Sequence, residues 1–402
     1  MTSSTSAVRT RRTGDGLSQA DGALVATAGA IGDLLLRHVE EGERERRLPT
    51  ATADALTDAG MFRLCRSREL GGLETDPLTV IDVIEELARH DGSAAWCALN
   101  CSIAGVLQSF LAPDGAHEIG AGHDVVVNGV IAPSGRAVEV DGGYRVSGRW
   151  SFVSNCHHCT WLALSCVVVE SDTVTAAADE PPIVMTFVPA SQWQIIDTWD
   201  TVGLRATGSH DIEVSDVFVP AHRAISIQMS EPVRDGALFR FPLVGLFSVG
   251  MAACAVGLAL AAIDEVLLLA ETKSPFGMSS TLATRATTQI AVCEAMATAR
   301  SGGALLVQET DRMWQALRAG EQPTPQERGF LRIATTHATE AATAAVDRAY
   351  TAAGSSAIFR SSPLQRCLRD IHTLSQHFFV APPTYEMTGK VLLGVEPDGF
   401  ML

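Results

Sequence analysis

The sequence predicts a mostly α-helical protein with a central β-domain, and three observations predict it. Alanine-rich runs at helical spacing fill residues 21–111 and most of the chain after Pro242. Between them, from Val125, the pattern changes to period two with Gly-Gly turns. Hydrophobic residues make up 47% of the 402 and charged residues 19%, which suits a globular chain with a large core and several structural regions.

Taken in order, Asp21 to Arg47 reads as the first helix, with Leu34, Leu35 and Val39 on one side and Pro49 beyond its end. Ala51 to Arg63 follows. Pro77 to Arg89 begins at a proline suited to the first helical turn, just after Asp76. Gly92 to Leu111 is the fourth helix. The strands are Val125–Val127, Arg136–Val140, Tyr144–Val146, Trp161–Val169, Ile183–Val188 and Ile212–Val219, with Asp141-Gly142-Gly143 as a hairpin turn. After Pro242 come about four long helices, broken near Pro275, Gly320–Pro325 and Gly354–Pro363. The division expected is a disordered tail over 1–20, a helical domain over 21–124, a β-domain over 125–232 and helices over 233–402.

Several classes fall away on composition. The formal charge of −16 argues against nucleic acid, whose phosphates require clustered Lys and Arg. Nine scattered cysteines and an N-terminus without an apolar signal segment point to a reduced, cytoplasmic protein. Leu243 to Ile263 carries no charge over 21 residues. Its Ala, Gly, Ser and Cys content, and its run into Asp264 and Glu265, describe a buried bundle helix rather than a membrane span. Cys156-His157-His158-Cys159 has a ligand-like spacing but no second pair at a zinc-ribbon distance, so no metal is assigned. No Gly-x-Gly-x-x-Gly follows a strand, so no resident nicotinamide site is expected.

Two segments carry most chemistry. Gly148-Arg149-Trp150-Ser151-Phe152-Val153-Ser154 and Gly203-Leu204-Arg205-Ala206-Thr207-Gly208-Ser209 set aromatic rings and glycine turns beside small hydroxyls. That combination suits a flat cofactor with a polar edge. One of Trp150 and Phe152 is expected to face it while the other packs in the sheet.

With Asp91-Gly92-Ser93 and Trp96, Asp216 to Pro220, and Arg369-Asp370-Ile371-His372-Thr373 followed by His377, this order of motifs resembles the acyl-CoA dehydrogenase superfamily. Within it, the sequence is most similar to oxygenase components of two-component flavin monooxygenases, of the 4-hydroxyphenylacetate 3-monooxygenase large-component kind. The resemblance implies an N-terminal helical domain, a middle β-barrel or sandwich and a C-terminal four-helix bundle. It also implies reduced FMN or FAD from a separate NAD(P)H-dependent reductase, O₂ as co-substrate, a C4a-hydroperoxide, and a homotetramer.

Site residues follow from that resemblance. Ser154 takes the flavin N5 hydrogen bond. Asn128 and Ile131 line the pyrimidine side. Arg205, Thr207 and Ser209 hold the phosphate side or the turn itself. Lys273 and Phe276 occupy an Arg-x-x-Phe-Gly-like site that meets the flavin phosphate of a neighbouring subunit, and Trp96 walls the substrate cavity. Common acyl-CoA dehydrogenases place a glutamate base about nine residues after the arginine of the Arg-Asp pair; here that count reaches Phe378, beside His377. His377 is therefore the leading base or substrate-orienting group, with His372 second.

The expected reaction is hydroxylation of an aromatic or polycyclic small molecule. Alternatives are N-oxygenation of an amine or amino sugar, an acyl-CoA dehydrogenase using Glu386, and a helical scaffold without flavin.

Overall fold

Two aspartates start the helices that carry the N-terminal core. A computed structural model of the chain describes residues 20–169, 182–226, 231–274, 276–277 and 279–396. Of the tail expected over 1–20, residues 1–19 lie outside these residues, as does the break at Pro275. Asp76 accepts from the Leu78 and Thr79 amides, both at 3.0 Å, and starts α4 (Pro77–His90). Asp91 accepts from the Ser93 amide at 2.9 Å and starts α5 (Gly92–Ala104). Each side chain satisfies donors that a helix start leaves unpaired. The single helix expected over 21–47 is broken at Ile31 into α1 (Gly22–Ala30) and α2 (Gly32–Glu45), bent by 48°. Gly29 and Gly32 weaken the helix on either side of that break. α3 (Thr50–Asp58) stops five residues before the expected end, and a short α6 (Pro113–Ile119) leads to the sheet.

The strands β1 (Val127–Val140), β2 (Gly143–Val153), β3 (Trp161–Val169), β4 (Ile183–Pro189), β5 (Gln194–Ile196), β6 (His210–Pro220) and β7 (Ala224–Ile225) form one sheet. Its order is β5-β6-β2-β1-β3-β4-β7, antiparallel except for the β1–β3 pair. Trp150 explains one glycine. A Cβ on Gly135, opposite Gly148 in the β1–β2 register, would lie 1.9 Å from the indole, so the strands make room for the ring by omitting a side chain.

Three long helices follow, α7 (Leu243–Thr272), α8 (Ala286–Arg318) and α9 (Pro325–Ala353), and then two short ones, α10 (Pro363–Leu374) and α11 (Pro383–Leu392). Four long helices were expected; the last is split by the turn over 375–382. α7 and α8 are long and apolar enough to cross a membrane by length and composition. α7 is enclosed by α4, α5, α8, α9 and α10, which explains its uncharged run. The most apolar stretch of α8 instead lies largely on the surface.

Candidate active site

The end of β2, the loop before β6, α5 and the turn after α10 converge on one group of hydroxyls. Trp96 Nε1 on α5 donates to Ser154 Oγ at 3.0 Å. Ser154 Oγ is 2.8 Å from Ser209 Oγ, which is 2.7 Å from Thr207 Oγ1. Thr207 Oγ1 donates to the Leu204 carbonyl at 2.8 Å.

This chain has only one consistent direction. A hydroxyl has one proton. Thr207 spends its proton on Leu204, so Ser209 must donate to Thr207, and Ser154 must donate to Ser209. Ser154 accepts once, from Trp96, and keeps one lone pair uncommitted. The buried serine is an acceptor held open.

Beside it the backbone turns sharply. Phe152 adopts φ +63° and Asn155 φ +60°, and the β2–β6 register slips between Trp150 and Val153. The slip reverses the alternation that would put Trp150 and Phe152 on one face. Trp150 is 0% exposed and donates to the Ser165 carbonyl at 2.8 Å, so it is sheet core rather than a cofactor wall. Phe152 is 75% exposed, with Trp199 edge-on at 6.1 Å.

The Asn128 side chain is committed within the protein. Its amide donates to the Ser154 carbonyl at 2.6 Å and accepts from the Gly129 amide at 2.7 Å, bracing the serine turn. Ile131 lies where β1 leaves its register with β3, between Val130 and Gly135, a stretch whose backbone groups are free of that ladder. Arg205 is spent on structure: it donates to the Glu43 carbonyl, to Asp200 and to the Thr201 carbonyl.

α10 clamps the loop that carries Thr207 and Ser209. Asp370 Oδ1 accepts from the Leu204 amide at 2.6 Å, and Arg369 donates to the Val202 carbonyl and to Glu43, both at 2.6 Å. Gly203 lies so close to α10 that a Cβ there would be 2.1 Å from the Arg369 carbonyl oxygen. Burial pushes the Asp370 carboxyl up to about 7, against the Leu204 amide and Arg366, which favour the charged form. The native state thus holds this proton between about pH 4, the unfolded value, and 7. The stabilisation it gives is complete below that window and lost as pH rises through it. Asp370→Asn, which keeps the acceptor and removes the charge, should therefore be the more stable protein at pH 8, with a flatter urea midpoint from pH 5 to 8. Parallel pH curves for the two proteins would refute this.

His377 lies past the end of α10, not on it. Its ring is edge-on to Trp96 at 5.7 Å and packs on Phe378 and Phe379 at 4.9 and 5.0 Å. Its Nδ1 accepts from the Phe379 amide at 3.2 Å, which assigns the neutral ring's proton to Nε2. Burial, and then the Arg332 charge, lower it to about 4. At neutral pH this histidine is an uncharged donor, which favours the orienting role over that of a base. His372 belongs elsewhere: its Nε2 is 2.9 Å from Asp347 Oδ1 on α9, at the surface.

Glu386, the alternative dehydrogenase base, is on the exposed face of α11, 76% exposed and 3.7 Å from Lys390. Its ion pair is with Lys390 on the same helix, not with a member of the Trp96–Ser154–His377 cluster. Lys273 Nζ donates to the Ala353 carbonyl at 2.6 Å, at the negative end of α9. With Phe276, Arg285, Arg348 and Gly354 it lines a separate cavity of about 800 Å³. Cys156 donates to the Gly208 carbonyl, His158 contacts the Leu48 carbonyl, and His157 packs on His210, so these three side chains are engaged with different partners. Among the described residues no group of three or more His, Cys, Asp or Glu could hold a metal.

Sequence reasoning missed Trp199, Asp370's clamp and Arg332. Arg332 alone left a signal: a cation in a Thr- and Ala-rich helix with no acid three or four residues away.

An exposed aromatic beside a buried, unsaturated hydroxyl acceptor fits the face and edge of a flavin. The chain belongs to the acyl-CoA dehydrogenase superfamily: the family described as acyl-CoA dehydrogenase, N-terminal domain, matches residues 25–113, and acyl-CoA dehydrogenase, C-terminal domain, matches 249–382. Indole-3-acetate monooxygenase of Pseudomonas putida is 31% identical over 358 residues, 89% of this chain and 90% of that one. The oxygenase subunit HsaA of a flavin-dependent monooxygenase from Mycobacterium tuberculosis is 29% identical over 375 residues, covering 89% and 92%. The crystallised XiaF from Streptomyces, in complex with FADH2 and glycerol, superimposes with a TM-score of 0.87 at 28% identity, covering 94% and 96%. Within the superfamily, the protein is the oxygenase component of a two-component flavin-dependent monooxygenase, an enzyme of aromatic hydroxylation that works with a separate partner component.

Proposed function

We propose that Ser154 holds the N5 edge of reduced flavin, that Phe152 and Trp199 meet its ring, and that His377 orients an aromatic substrate beside it. The direction of the hydroxyl chain carries the reading: the N5–H of a reduced flavin is a donor, and Ser154 has one acceptor lone pair to offer it. Bound reduced flavin supplies the electrons and the atom at which O₂ is activated.

The protein's share is positioning and exclusion of water. Trp96 fixes Ser154 Oγ, Ser209 accepts its hydrogen bond, and Asn128 braces its carbonyl. His377 donates from Nε2 to an oxygen of the substrate, and Phe247 and Phe379, 6.2 Å apart, keep that side dry. Lys273 and Arg285, in the 800 Å³ cavity, offer cations to the flavin phosphate of a neighbouring subunit. A homotetramer accounts for the outward apolar stretch of α8, and sedimentation velocity measures it directly. Nine unpaired cysteines, eight of them buried, agree with a reducing cytoplasm, and a reductase using NAD(P)H would provide FMN or FAD. The domain limits that follow are 21–124, 125–232 and 233–402.

Stopped-flow mixing of the protein, loaded with anaerobically reduced FMN or FAD, with O₂ tests this. A transient absorbance distinct from oxidised flavin, outliving that of free flavin, is the expected result. Direct reoxidation at the free-flavin rate with both flavins would sink the assignment of Ser154.

A further inference from the structure

Arg332, at the start of the third turn of α9, is 1% exposed and has no carboxylate partner among the described residues. Its Nη1 donates to Ser248 Oγ on α7, while Nε and Nη2 are buried without an acceptor. These two nitrogens form one side of the guanidinium fork, the edge that grips a carboxylate with two parallel hydrogen bonds. The group is 5.9 Å from the Phe379 ring, and its charge acts on His377. Burial lowers it only to about 10, so it stays a cation at neutral pH. A buried, unpaired cation with two idle donors is costly to keep. It makes sense if an anion completes it.

We propose that Arg332 binds a carboxylate carried by the aromatic substrate, making this enzyme selective for aryl acids. The inference rests on the oxygenase reading for the position of the ring. The carboxylate would take the Nε–Nη2 edge while the ring extends past Phe379 toward His377, Trp96 and Ser154. Arg332 would thus fix which ring position meets the activated oxygen.

The test is binding of matched pairs that differ only in charge: phenylacetate against phenylacetamide, and 2-naphthoate against 2-naphthamide, by calorimetry on the flavin-loaded protein. At least one acid should bind tenfold or more tightly than its amide. Arg332→Gln should erase that ratio with a loss of at least about thirtyfold for the acid, and Arg332→Lys should keep part of it. The ratio in the unaltered protein stands even if the variants fail to fold. Equal binding of acid and amide in both pairs overturns the proposal. So does an unchanged ratio in Arg332→Gln, or a parallel fall in its flavin affinity, which would make Arg332 structural. An acid preference without any oxygen chemistry would leave the anion site standing and remove the oxygenase placement instead.

Discussion

Ser154→Ala is expected to turn most oxygen consumption into free hydrogen peroxide while reduced flavin still binds. The serine stands at the open end of its hydroxyl chain with one acceptor lone pair uncommitted, and its geometry is set on three sides by Trp96, Ser209 and the Asn128 amide. One hydrogen bond of this kind contributes about 1–2 kcal/mol, so the lifetime of the oxygenated state should fall about tenfold or more. Ser154→Thr, which retains the hydroxyl, should recover much of the coupling. Trp96→Phe should give a weaker version of the same defect by freeing Ser154 to rotate. The measurement is peroxide released against product formed. Unchanged coupling in Ser154→Ala would remove the serine from the chemistry.

His377→Ala should lower kcat/KM for the substrate by roughly 10²–10³ with little change in flavin affinity, the range expected for removing one oriented hydrogen-bond donor. His377→Gln, which can still donate, should fall between. The pH profile separates the roles of this residue. Because burial and Arg332 hold the imidazole near 4, it is neutral throughout the physiological range, and protonation begins only as pH falls toward that value. No activity limb near 6.5 should belong to His377, and any acid limb it contributes should lie well below. A limb near 6.5 that vanishes in His377→Gln would show a titrating base and contradict the assigned tautomer. Equal losses of flavin and substrate binding in His377→Ala would make the residue structural.

Much of the helical layout was legible because its signals are local. Asp76-Pro77 and Asp91-Gly92 start helices where their side chains can reach the first free amides. The hairpin at Asp141-Gly142 is legible for the same reason, with Gly142 at φ +79°. The site was legible only in pieces. That one of Trp150 and Phe152 packs and the other does not was expected, but which one is decided by the slipped register, which leaves no mark in composition. His377 was readable as an important residue, but its place in a turn after Leu374, and hence its tautomer, depends on the Phe379 amide. Asn128, Arg205 and His372 are polar residues near the right segments whose bonding capacity is already committed. Distant partners decide such cases.

The clamp on the Val202–Leu204 loop has a mechanical consequence. Arg369 and Asp370 fasten the loop leading to Thr207 and Ser209, and seven residues after Asp370 the same chain delivers His377. One strut therefore sets both the hydroxyls around Ser154 and the place of His377. Any tilt of α10 would displace the two together, so the gap between oxidant and target carbon is kept under thermal motion. Evolution could then reshape the walls around Arg332 for a new ring without retuning that gap.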